Sequence, residues 1–199
     1  MKQNLKAITI CACAVLLLVA GCGKKEEPKK ETIKIVSNDL YETPKKATLE
    51  ATKAYNKLSK ALEGNNQQKI AELVAVNFAY DFFTLANKKD ENQVGGLTFI
   101  PEISREEFTN YALSYYYGNY MNIVNKYGKE ALPYMNGCSV KKSEEAKIIY
   151  QDLTYDGYIV NLDCKYKESD LAQSKLKTKM EVQVIYDNQD AIFKVVAVQ

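Results

Sequence analysis

"DGYIVNLDCKYK", Asp156 to Lys167, decides the fold. Tyr158, Val160, Leu162, Cys164 and Tyr166 alternate with Ile159, Asn161, Asp163, Lys165 and Lys167. Successive side chains of a strand point to opposite faces, so this period of two describes a strand buried on one side. Asp156-Gly157 in front of it is a hairpin signal, pointing back to a strand around residues 146–153. Met180, Val182, Val184 and Tyr186 alternate in the same way, 187–190 reads as a turn, and Ile192 to Val198 forms a last strand. The C-terminal third is therefore an antiparallel meander of about four strands.

Upstream the period changes to that of a helix. Thr43-Pro44 reads as a helix start, Thr as N-cap and Pro in the first turn. Ala47, Ala51, Ala54, Tyr55, Leu58, Ala61 and Leu62 follow at three- and four-residue spacing. Gly64 ends that helix and Asn65-Asn66 opens a second, from Gln67 to about Ala86, with Ile70, Leu73, Val74, Phe78, Phe82 and Leu85. In "QVGGLTFIP" the glycines introduce a short β-like piece, Leu97 to Ile100. Ser104 and Glu107 have capping-box spacing ahead of a third helix carrying Phe108, Tyr111, Ala112 and Tyr115. Tyr120, Ile123, Val124 and Tyr127 lie on a rotated face, which predicts a kink or break near Gly118. Helices followed by a meander give an α+β domain, with three helices packed on one face of a curved antiparallel sheet of four to six strands.

The N-terminus carries an address. Lys2 and Lys6 precede an uncharged apolar stretch from Ala7 to Ala20, too short for the roughly 20 residues that span a bilayer. A basic start, a short apolar run and small residues describe a secretory signal. Leu18-Val19-Ala20-Gly21-Cys22 resembles the lipobox of bacterial lipoproteins, residue for residue. The resemblance implies cleavage after residue 21 and a diacylglyceryl group on the Cys22 thiol. That would hold the protein on the extracytoplasmic face of the cell membrane, with residues 22–43 as a tether and 44–199 as the folded domain.

Composition narrows the chemistry. Residues 1–21 hold two lysines and no acid, so the remainder carries 25 basic and 25 acidic residues. That balance gives no basic footprint for nucleic acid. Arg105 is the sole arginine, a Lys- and Asn-rich bias expected of an AT-rich Gram-positive genome. The chain has no histidine, which removes the usual zinc sets and any Ser–His nucleophile. No metal or cofactor is expected. Gly95-Gly96 lacks the spacing and lysine of a phosphate loop. Cys138 and Cys164 lie beyond the membrane on this reading, where they form either a disulfide or two buried thiols. With Asp156-Gly157 as the turn, Cys164 faces Ile149, which tips the balance toward thiols.

The order of elements over 44–199 resembles the NTF2-like (cystatin-like) fold. "FFTLANKKDENQVGGLTFIPE", Phe82 to Glu102, joined to a Tyr-rich helix, is similar to NTF2-like lipoproteins of Gram-positive bacteria. Such domains commonly enclose a cone-shaped cavity between helices and sheet, and often dimerise through the sheet. Its candidate lining here is Asn77, Asp81, Phe82, Tyr115 and Tyr116. Asn77 and Asp81 fall within the apolar sector of the second helix, where a carboxylate needs a partner or a cavity. Arg105 or a backbone amide would make Asp81 structural. In the ketosteroid-isomerase type of this fold, an Asp base works with Tyr donors. Tyr115, Tyr116, Tyr117 and Tyr120 also invite a glycan-stacking reading, but consecutive helical positions diverge too far to build one platform. No nucleophile, base and orienting group converge, so a binding or accessory module for a small apolar ligand or a partner segment is expected. An Asp81–Tyr enzyme and a scaffold for envelope proteins are the alternatives.

Overall fold

The computed structural model describes residues 33–199; Cys22 and the expected signal stretch and tether up to residue 32 lie outside them. Four helices and four strands follow in order: α1 Leu49–Ala61, α2 Gln67–Phe83, α3 Arg105–Tyr115, α4 Tyr120–Tyr127, β1 Met135–Tyr150, β2 Leu153–Tyr166, β3 Lys179–Asp187 and β4 Ile192–Val198. The strands form one antiparallel sheet in the order β1-β2-β3-β4. The architecture is α+β, helices first and an open meander after.

α1 starts later than Thr43-Pro44 suggests. Lys46 takes a left-handed φ of 54°, which no continuous helix can pass through, and Thr48 becomes the N-cap, accepting from the Ala51 amide at 3.2 Å. Residues 33–43 are not free tether either. Asn56 Oδ1 accepts from the Val36 amide and Ser59 Oγ donates to the Val36 carbonyl, while the buried Tyr41 hydroxyl donates to Phe193 O at 2.9 Å. Packing against α1 is thus already present at Val36, thirteen residues before that helix starts.

α2 is capped by Asn66, whose side chain accepts from the Lys69 amide. It is buried almost all round, because all four strands cover one side and α1 packs on another. Its chain ends at Phe83, and Pro133 O then takes the amides of Leu85 and Ala86. Leu97–Phe99 is a 3₁₀ turn and not a β piece. Gly96 sets this up with φ 79°, where a Cβ would press on the Phe78 ring at 2.9 Å. α3 begins where Ser104 predicts, yet no capping box forms: the Ser104 hydroxyl pairs with Tyr150 OH. The expected break is present, as a 3₁₀ turn over Tyr117–Asn119 between α3 and α4.

The β1–β2 hairpin turns elsewhere than expected. Tyr150 pairs with Leu153, and Gln151 and Asp152 take φ 50° and 60°, both left-handed, as a two-residue type I′ turn requires. Asp156-Gly157 lies inside β2, where Gly157 lets β3 approach: a Cβ there would sit 2.3 Å from Val184 O. Moving the turn moves the register. Cys164 faces Cys138, not Ile149, and the two are joined by a disulfide. The alternation itself stands: Tyr158, Val160, Leu162, Cys164 and Tyr166 are buried and Lys165 is exposed.

Candidate functional site

A cavity of about 590 Å³ opens between α2, α3 and β4. α2 contributes Phe78, Phe82 and Phe83, α3 contributes Phe108, Tyr111 and Tyr115, and the C-terminal half of β4 contributes Val195 to Val198. Helical spacing explains the first two sets. Positions 78 and 82 are one turn apart, as are 108, 112 and 115, so each helix turns one aromatic stripe to the other. The rings meet: Phe82 lies 5.2 Å from Phe108 and 5.4 Å from Tyr116, centroid to centroid. Such contacts fix the aromatic floor beyond the area they bury.

The polar groups are few. Ser104, Tyr150 and Glu107 mark one part of the lining and Lys177 another. Tyr116 donates its hydroxyl to Phe83 O at 2.8 Å, and burial holds its pKa well above the ordinary phenol value. It is a neutral donor already in use, not a base. Tyr111 and Tyr115 pack ring on ring at 4.6 Å along the rim and stay 63% and 68% exposed. Exposed stacked aromatics beside an apolar cavity are what a binding surface offers.

Of the residues expected to line a cavity, Phe82, Tyr115 and Tyr116 do so, whereas Asn77 and Asp81 lie outside it. Asn77 donates to Leu73 O at 2.8 Å and Ala54 O at 3.2 Å, tying α2 to α1. Asp81 is held by Lys88 Nζ at 2.7 Å and by the Gly96 amide at 2.7 Å. Arg105 is not its partner; its Nε donates to Ile100 O. Around this pair the Gly95 amide donates to Tyr117 OH, which itself donates to Phe82 O, both at 2.8 Å. Asp81 therefore locks the 84–96 loop onto α2. β4 and Lys177 were missed because only tertiary packing brings them to α3.

Among the described residues no cluster of metal-ligating side chains occurs, and no helix is long and apolar enough to cross a membrane. Compared with known families, curated proteins and solved structures, the chain matches none.

Proposed function

We propose that this protein is a lipid-anchored extracytoplasmic binding module of NTF2-like architecture, whose α2–α3–β4 cavity takes an apolar ligand. One observation carries the reading: a cavity of about 590 Å³, within the range of ligand sites, lined by aromatic and aliphatic side chains with few polar ones. The sequence Leu18 to Cys22 supports the anchor, and the order of helices before a meander supports the architecture. Binding is favoured over the Asp81–Tyr enzyme because Asp81 is engaged by Lys88 and Gly96 outside this cavity.

The test uses the apolar fluorophore N-phenylnaphthylamine with the wild-type protein and with Tyr115→Ala. Tyr115 lines the cavity from α3 and is 68% exposed, so its truncation removes part of the lining and no core side chain. Probe fluorescence should rise with the wild type and fall about tenfold in affinity with the variant. Equal binding by both, with unchanged circular dichroism, would place the probe elsewhere and remove the cavity from the argument.

A further inference from the structure

Among the described residues β4 has a neighbour on one side only, and its other edge opens onto the cavity. At its C-terminal end Gln199 exchanges both backbone hydrogen bonds with Glu181, at 2.9 and 3.1 Å. Bonded and non-bonded pairs alternate along an antiparallel ladder. Val198, opposite Val182, is thus a non-bonded pair and turns its own N–H and C=O to the open side. The N-terminal half of this edge is already closed: Phe193 O accepts from Tyr41, and Lys194 Nζ donates to Thr98 O. The C-terminal half is not. It carries Val195, Val196, Ala197 and Val198, with no Lys or Pro of the kind that guards exposed edges. A register shift opposite Gln183 and Val184 is the one guard it keeps.

The two ends of the cavity differ in charge. Lys177 precedes β3 by two residues and so lies toward the C-terminal end of β4. Glu107 follows Ser104 on the first turn of α3, and Thr98 and Ser104 are tied to Lys194 and Tyr150 at the other end. Neither Lys177 nor Glu107 forms an ion pair among the described residues.

Resting on the binding reading above, we infer that the occupant is an extended apolar peptide segment of a partner protein. It adds to β4 as a fifth strand, with an acidic residue toward Lys177 and a basic one toward Glu107. Chemistry favours a peptide over an acyl chain. An acyl chain filling the cavity would drive water from the Val198 amide and carbonyl and pair neither, which is costly. An added strand pairs both, while its alternate side chains meet the α3 aromatics and its ends meet the two charges. At about 3.4 Å per residue, the open half of β4 fits a segment of four to six residues.

The probes are acetyl-Lys-Val-Ile-Val-Ile-Glu-amide, its reversed sequence, and both with every second peptide nitrogen methylated. One unmethylated peptide should bind, and its methylated form should bind at least about tenfold more weakly. Binding should slow hydrogen exchange at the Val198 amide. Lys177→Glu should weaken the peptide about fivefold, and Val198→Pro, which removes an N–H outside the β3 ladder, about tenfold. Equal affinity for methylated and unmethylated peptides overturns the inference. So does sodium laurate binding where neither peptide binds at millimolar concentration, an outcome that leaves the apolar binding reading intact. Failure of the peptides, laurate and the naphthylamine together would end both.

Discussion

Asp81 holds two donors at once, the Lys88 ammonium and the Gly96 amide, and its neighbours make the loss of either expensive. The Lys88 side chain is 4% exposed and that of Asp81 23%, so Asp81→Ala leaves a nearly dry cation unpaired. A loss of about 3 kcal/mol is expected, with a clear fall in melting temperature. Asp81→Asn keeps an acceptor for Gly96 and should recover part of it. A rise in midpoint for Asp81→Ala would mean the carboxylate is held against stability for some other use. Helical phase made Asp81 legible as a buried polar residue needing a partner. It could not name Lys88, because that residue sits on an irregular loop with no period to follow. The tyrosines give a second residue-scale expectation. Burial pushes the hydroxyls of Tyr41, Tyr116, Tyr117 and Tyr166 above the ordinary phenol range. Their folded pKa exceeds the unfolded value of about 10, so their share of stability is complete below that pH and is lost as pH rises beyond it. Urea midpoints should therefore fall progressively above about pH 10, with the tyrosinate absorbance of these four appearing only as the protein unfolds. Tyrosinate signal from all fifteen tyrosines in the folded state would contradict this.

At the scale of elements, the β1–β2 hairpin shows what a sequence signal can and cannot fix. The inward face of β2 was legible because burial follows the period of two. The turn was not, since Asp-Gly is the stronger local signal while Gln151-Asp152 takes the left-handed pair only because the long strands impose it. Replacing Gln151-Asp152 by Asn-Gly should relieve that conflict and stabilise the domain by about 1 kcal/mol. An unchanged or lower midpoint would show that Gln151 and Asp152 are held by contacts worth more than the backbone preference. The same register carries the disulfide. Cys138 and Cys164 are separated by 26 residues, a loop whose closure is worth about 3 kcal/mol on the chain-entropy scale. The domain unfolded without reductant should show no titratable thiol from this pair, and the double Ala variant should lose most of that stability. Two free thiols would return the pair to ordinary core cysteines.

At the scale of the molecule, the sheet wraps α2, the first described residues pack on α1, and the cavity opens on the β4 side. The helices-then-meander order was readable because each element has its own period. The cavity was readable only in half, through the aromatic stripes of α2 and α3, because its other wall is a strand some eighty residues later. Cell placement is a separate matter of chemistry at the N-terminus. Ten residues, 23–32, separate Cys22 from the first described residue. Extended, they reach at most about 35 Å, so a domain anchored at Cys22 works close to the membrane surface. Two or more acyl chains hold durably where one holds weakly. Cys22→Ser removes the thiol that would carry them and should move the protein from the membrane fraction to the medium, or leave it unprocessed with residues 1–21 attached. Fractionation and intact mass decide it together: unchanged membrane retention at a normal mature mass would rule out Cys22 as the anchor. In that event the short reach to the bilayer would no longer confine the α3–β4 cavity to ligands and partners at the surface.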